Sequence, residues 1–136
     1  EIPPSQINRI KNGEDYIPPD GKVIPNSRLT TPAAAPRKYV YSSDTAFNPN
    51  NVQYTKGANL LFHEATFAES EAARAKQTCH TTARQAAEMA RLSEAKQLLI
   101  GHFSARYTDE EILLKEAREI FPSTLLADEG LKIEIK

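Results

Sequence analysis

The apolar positions from Lys38 onward fall into short runs separated by stretches with helical spacing. Three of the runs, "RKYVYSSD", "NLLFHEAT" and "QLLIG", are rich in aliphatic and aromatic residues and too short for helices, so they predict strands. Two further runs, "TLLAD" and "LKIEI", predict strands that close the chain around Glu129-Gly130. Strands that alternate with helices predict an α/β fold in which helices pack on a layered sheet.

Helical segments are predicted between these strands. Alanines and charged residues predict a helix over 68–77, and Thr82 with Gln85 three positions later forms a capping box for a second helix. The segment "TDEEILLKEAREIF" predicts a third helix, with Thr108 and Glu111 as its capping box. The second helix carries apolar residues at the helical period, namely Ala83, Ala86, Ala87 and Ala90.

Residues 1–37 carry most of the nine prolines, and we interpret them as an arm or linker that precedes a domain over residues 38–136. The chain opens on Glu1 rather than on a methionine, which favours a cut through a longer protein. Its net charge of −1 excludes a global basic field for nucleic acid. The single cysteine excludes an internal disulfide, and no apolar run approaches the length that spans a bilayer, so we expect a cytoplasmic protein.

Potential ligands follow three of the predicted strands. Asp44 follows the first strand, His63 and Glu64 end the second, and His102 follows "QLLIG", while His80 stands at the start of a helix. Carboxyl ends of neighbouring strands lie at one rim of a sheet, so these side chains are predicted to converge. Neutral imidazoles and carboxylates are ligands of zinc-like ions, and the rim is therefore a candidate metal site.

Each candidate also has an ordinary structural interpretation. His102 alone could be a core-edge histidine bonded to backbone, Asp44 could be a turn carboxylate, and Glu64 could be a strand-end charge or a carboxylate that orients an imidazole. A catalytic metal ion usually takes three protein ligands plus water, and no H-x-H pair occurs in the chain. The predicted site is therefore incomplete.

Four motifs stand in a fixed order: "SSDT" at 42–45, "HEATF" at 63–67, "HTTARQAAEMA" at 80–90 and "GHFSARY" at 101–107. Together they resemble the later motifs of the ribonuclease Z family, the transfer-RNA 3′-processing endonucleases of the metallo-β-lactamase superfamily. The resemblance covers residues 38–136. It implies the C-terminal half of an αββα sandwich, with a mixed sheet and helices packed on one face. The H-x-H-x-D-H motif of the family's first half is not in this sequence.

The resemblance also implies roles for the residues of these motifs. Asp44 would bridge two zinc ions, and His102 would be a ligand of one of them. His80 would act near the scissile phosphate as a proton donor or oxyanion stabiliser, oriented by Glu64.

Substrate contacts follow from the same resemblance. Ser104, Arg106 and Tyr107 would line the site, with Arg106 the expected phosphate contact because its planar fork suits phosphate oxygens. The proline-rich start resembles the stretch that follows or partly forms the family's transfer-RNA-clasping arm, but solvated charges on a loop are the favoured explanation of its basic residues.

We therefore expect this chain to be part of a zinc-dependent, homodimeric endoribonuclease that removes the 3′ trailer from precursor transfer RNA. The fragment alone is expected to be inactive. Two alternatives stay open at this point. One is another metallo-β-lactamase-fold phosphodiesterase that acts on small substrates, and the other is a noncatalytic half-domain that associates with itself through an exposed sheet face.

Overall fold

A computed structural model describes residues 2–135 and divides the chain into two compact units, one up to Pro36 and one from Arg37 onward. The first unit contains helix α1, Pro4–Lys11, a 3₁₀ turn at Asn26–Arg28 and an antiparallel bridge between Tyr16 and Ile24. The Asn26 side-chain amide donates to the carbonyl oxygen of Ile10 at 2.6 Å, which ties the turn to the end of the helix.

The second unit is built on a four-stranded sheet. Its strands are β1, Tyr39–Ser42, β2, Leu60–Glu64, β3, Leu98–Gly101, and β4, Thr124–Leu126. They lie in sequence order and every neighbouring pair is parallel. The predicted α/β class is confirmed, and the four described strands run parallel rather than in mixed directions.

The strand predicted for "LKIEI" is wrong, because residues 131–135 form no strand. Their alternating apolar side chains serve another purpose. Leu131, Ile133 and Ile135 line a cavity of about 350 Å³ together with Tyr39 and Leu60 of the sheet. The apolar side of this segment therefore faces a cavity beside the sheet and does not pair in a ladder.

The helices of the second unit are α2, Val52–Thr55, α3, Ala72–Gln77, α4, Ala83–Leu92, and α5, Glu111–Ile120. A 3₁₀ turn at Glu69–Glu71 precedes α3, so the segment predicted as one helix over 68–77 is divided.

The predicted capping boxes have different outcomes. The Thr82–Gln85 box is present in full at the start of α4. The Thr108–Glu111 box is wrong, because α5 begins later than expected and Thr108 lies outside its first turn. The carboxylate of Asp109 accepts the Glu111 N–H at 3.0 Å instead.

The core lies on one face of the sheet, where α4 and α5 pack against inward-facing residues of β2 and β3 such as Leu61, Leu98 and Ile100. The small alanine side chains of α4 allow its backbone to approach the sheet closely. On the opposite face Tyr41 is 65% exposed and stacks on Phe62 with ring centroids 4.5 Å apart. Within the second unit, α4 and α5 thus pack on the sheet face opposite Tyr41 and Phe62.

None of the helices found within residues 2–135 has both the length and the apolar character that a membrane span requires.

Candidate functional site

The candidate site lies at the carboxyl edge of the parallel sheet. Asp44 follows β1, His102 follows β3, and His80 stands two residues before the N-cap of α4. One potential ligand atom from each of these three residues lies within 4.8 Å of the other two. The structure therefore brings together three of the residues that the sequence predicts for the site.

Left-handed backbone conformations occur at this edge. Asp44 has φ 50°, His102 has φ 59°, and Cys79, directly before His80, has φ 58°. Such angles cost non-glycine residues on the order of 1 kcal/mol and persist where the surroundings hold them. They redirect the chain directly beyond each strand end and so contribute to the convergence.

Glu64 lies at the centre of the hydrogen bonds beside Asp44, His80 and His102 and is fully buried. Its Oε1 accepts the Thr45 N–H at 2.6 Å, and its Oε2 accepts the Thr81 N–H at 3.0 Å and the Thr66 hydroxyl at 2.6 Å. The His80 Nδ1 lies 3.0 Å from the same Oε2. One carboxylate thus joins the three loops that carry the site.

The pKa of Glu64 lies below its ordinary value. Burial opposes ionisation, but hydrogen bonds donated by the Thr66 hydroxyl, the Thr81 and Thr45 backbone N–H groups and His80 outweigh it. The ionised form therefore accepts four hydrogen bonds.

The side chains of Asp44 and His102 lie next to each other. The Nε2 of His102 lies 3.5 Å from Oδ1 of Asp44, and the rings of His102 and His80 have centroids 5.4 Å apart. Two tetrahedral zinc ligands, each about 2.0–2.1 Å from the ion, lie about 3.3–3.4 Å apart. The separation and the chemistry of these donors fit a shared cation.

His63 does not join the site, although its neighbour Glu64 does. Its side chain is 1% exposed and its Nδ1 lies 2.9 Å from the Glu64 carbonyl oxygen. Burial lowers its pKa and favours the neutral ring. Successive residues of a strand point to opposite faces, which explains the separation of the two side chains.

Thr66 is a site residue that the sequence analysis did not identify. Its hydroxyl lies 2.6 Å from Glu64 Oε2, 3.1 Å from Nδ1 of His102 and 2.9 Å from the His102 carbonyl oxygen. Its place within "HEATF", two residues beyond Glu64, is the only feature of the sequence that indicates it.

The predicted substrate-contacting residues lie on the loop after His102. Arg106 forms an ion pair with Glu71 at 3.0 Å and its guanidinium lies 5.2 Å from the ring centre of Phe67. The Tyr107 hydroxyl accepts the Ala68 N–H at 2.8 Å, and the Ser104 carbonyl oxygen accepts the Tyr107 N–H at 3.0 Å. Their contacts with substrate stay predictions.

No protein-family model matches the chain. Ribonuclease Z of Phocaeicola vulgatus, however, is 63% identical to it over 136 residues, which cover 100% of this chain. The chain belongs to the ribonuclease Z family. It spans 44% of the length of that relative, and the same share of Bacteroides fragilis ribonuclease Z, which is 60% identical over 135 residues. The family resemblance of the four motifs is confirmed.

Solved structures agree with the family and the fold. Human tRNase Z, short form, is 31% identical, with a TM-score of 0.51 over 65% of this chain and 29% of its own. The metallo-beta-lactamase fold protein YhfI from Bacillus subtilis has a TM-score of 0.62 over 68% of this chain and 38% of its own. At 23% identity, that second likeness concerns the fold alone. The chain thus has part of a metallo-β-lactamase fold.

Proposed function

We propose that this chain supplies part of the active site of a metal-dependent endoribonuclease that removes the 3′ trailer from precursor transfer RNA. The observation that carries the proposal is the cluster of Asp44, His80 and His102, whose ligand atoms lie within 4.8 Å of one another. The relatives named ribonuclease Z, at 63% and 60% identity, support the choice of substrate.

Asp44 and His102 would hold the metal. A carboxylate and an imidazole suit zinc, and a bridging carboxylate suits a site with two ions. When bound, the metal ions would lower the pKa of a water molecule and stabilise the charge that develops on the phosphate. Since a metal site of this kind needs more protein ligands than these two, the remaining ligands would come from polypeptide outside this chain.

His80 would hold and deliver a proton. Its Nδ1 lies 3.0 Å from the Glu64 carboxylate, so Nδ1–H is the donor in that bond and the ring is oriented by it. In the imidazolium form the ring carries a second hydrogen on Nε2, which it would transfer to the leaving oxygen of the RNA, and the ring would return to the neutral form with hydrogen on Nδ1. Glu64 acts through His80 and is a positioning residue.

Arg106 would bind a phosphate of the RNA, with Ser104 and Tyr107 lining the same loop. Its present partner is Glu71, in a pair whose side chains are 36% and 39% exposed. Exposed ion pairs contribute at most about 1 kcal/mol, so a phosphate can replace the glutamate at little cost.

The open face of the sheet would pack against the rest of the fold. The chain spans 44% of its curated relatives, and Tyr39 and Tyr41 on that face are 50% and 65% exposed. We infer that the full-length enzyme, a cytoplasmic homodimer, covers this face with a second sheet and completes the metal site. The chain alone would then be inactive.

The test compares two substrates. The full-length protein should cut precursor transfer RNA after the acceptor stem, and Asp44→Ala or His102→Ala should abolish cleavage and reduce the bound zinc. Asp128→Ala, an aspartate outside the cluster, is the matched control. Retention of zinc and cleavage in both variants would rule out the ligand assignment, while cleavage of a bis-aryl phosphodiester without cleavage of transfer RNA would favour the small-substrate phosphodiesterase.

A further inference from the structure

We propose that Thr66 is a positioning residue that fixes the tautomer of His102, so that Nε2 of that imidazole carries the lone pair that binds the metal. The inference rests on the metal site proposed above. It concerns a side chain that is 6% exposed and lies between Glu64 and His102.

The Thr66 hydroxyl donates its proton to an oxygen and not to the His102 ring. It has one proton and two oxygen acceptors within reach, Glu64 Oε2 at 2.6 Å and the His102 carbonyl oxygen at 2.9 Å. Oε2 of Glu64 also accepts a hydrogen bond from the Thr81 N–H, which can only donate. This oxygen is therefore an acceptor, and the Thr66 hydroxyl donates to it. The shorter bond to the charged oxygen is the stronger one.

The position of the Thr66 oxygen determines which nitrogen of His102 carries hydrogen. Its Nδ1 lies 3.1 Å from the Thr66 oxygen, whose proton is directed elsewhere whichever of the two oxygens accepts it. The hydroxyl therefore presents a lone pair to the ring, and Nδ1 must be the nitrogen that carries the hydrogen. A neutral imidazole holds one proton, so Nε2 is left bare.

The unprotonated Nε2 of His102 faces the carboxylate of Asp44. The Nε2 of His102 is the atom 3.5 Å from Oδ1 of Asp44. Two unprotonated acceptors at this distance repel each other unless a cation lies between them. The opposite tautomer would place a hydrogen on Nε2 and block the metal.

Glu64 thereby orients both imidazoles of the site, His80 directly through Nδ1 at 3.0 Å and His102 through the Thr66 hydroxyl. The β-branched Thr66 has few side-chain rotamers, which keeps its hydroxyl between the two groups. Outer partners of metal-binding histidines commonly act in this way.

The test measures zinc affinity in the full-length protein by competition with a chromogenic chelator. Thr66→Val keeps the shape and removes the hydroxyl, and we expect it to bind zinc about 10–100-fold more weakly. Thr66→Ser keeps the hydroxyl and should stay within a few-fold of the wild type. At saturating zinc Thr66→Val should recover its rate of cleavage, which loss of a catalytic residue would not permit.

A second measurement needs no variant at position 66. Nitrogen-15 NMR of the zinc-loaded wild-type protein should show His102 with hydrogen on Nδ1, the signal being assigned by its loss in His102→Gln. An Nδ1 without hydrogen in the zinc-loaded protein, or wild-type zinc affinity in folded Thr66→Val, would overturn the inference. If Thr66→Val does not fold, the tautomer of the wild type decides.

The two proposals fail in different ways. A wild-type protein that binds zinc in a Thr66-dependent manner but leaves precursor transfer RNA uncut would refute the proposed function and support the role of Thr66. A protein that cuts transfer RNA equally well at limiting zinc with valine at this position would refute the role of Thr66 and support the function.

Discussion

Removal of the Glu64 carboxylate should destabilise the fold as well as the site. Glu64→Ala takes away the acceptor of the Thr45 N–H and of the Thr81 N–H, which lie 2.6 Å and 3.0 Å from its oxygens. A buried donor left without an acceptor costs about 1–3 kcal/mol. Loss of the acceptor of both N–H groups should therefore lower the free energy of unfolding by about 2–6 kcal/mol. The Thr66 hydroxyl adds little, because it can turn to the His102 carbonyl oxygen at 2.9 Å.

Glu64→Gln should lower the free energy of unfolding by less than Glu64→Ala does. A glutamine has one acceptor oxygen, and that oxygen serves best at the Oε2 position, where the Thr81 N–H and the Thr66 hydroxyl meet. The amide NH₂ group then faces the Thr45 N–H. One donor is left without an acceptor, which corresponds to about 1–3 kcal/mol.

The dependence of this difference on pH follows from the lowered pKa of Glu64. A carboxyl whose pKa is lower in the folded protein stabilises it above the unfolded pKa of about 4.3, and this contribution disappears as the pH falls through the folded value. The wild type should therefore exceed Glu64→Gln in stability at neutral pH, and the difference should shrink in acid.

The assay is urea unfolding of the full-length protein, followed by circular dichroism at neutral and acidic pH. Glu119→Gln, on an exposed ion pair with Arg84, is the matched control and should change the free energy of unfolding by no more than about 0.5 kcal/mol. A loss below about 1 kcal/mol for Glu64→Ala, or a Glu64→Gln deficit independent of pH, would refute this reasoning.

Two further predictions concern neighbouring positions. His80→Ala should slow cleavage of precursor transfer RNA by about 10²-fold or more while bound zinc stays unchanged, as loss of a proton donor predicts; normal turnover, or loss of zinc, would contradict the assigned role. Thr82→Ala removes a buried cap whose hydroxyl accepts the Gln85 N–H and donates to Glu69 at 2.7 Å, so it should lower the free energy of unfolding by about 1–2 kcal/mol. Thr82→Ser should retain most of this stability in the same urea unfolding measurement, and equal losses for both variants would show that the hydroxyl is not responsible.

The elements that could be predicted are those whose local sequence pattern is compatible with only one kind of secondary structure. The runs around β1–β4 are short, apolar and bounded by turn residues, and all four form strands. The "LKIEI" segment has the same alternation, but alternation reports only that one side of an extended chain is apolar. Whether that side faces a ladder neighbour or lies across a sheet depends on distant residues.

The site shows a similar division. Asp44, Glu64, His80 and His102 could be predicted because they stand at strand ends or a helix start within recognisable motifs. His63 was predicted to converge with these side chains and does not, although the alternation along β2 could have separated it from Glu64, since neighbours on a strand face opposite ways. Thr66 has no pattern of its own, and its importance arises only from three groups that meet around its hydroxyl.

The backbone at the site could not be predicted either. Asp44 and His102 adopt left-handed angles, which Asp and His take more often than most residues but still uncommonly, so local preference alone does not predict them. These angles result from the packing of the loops, and they are part of the reason the two side chains approach each other.

The account depends most on a metal ion shared by Asp44 and His102, and anomalous diffraction at the zinc edge on zinc-loaded crystals of the full-length protein tests this directly. We expect a peak about 2.0–2.2 Å from a carboxylate oxygen of Asp44 and from Nε2 of His102. A zinc-loaded crystal with no peak between these two side chains, or with the peak bonded to Nδ1 of His102, would contradict it.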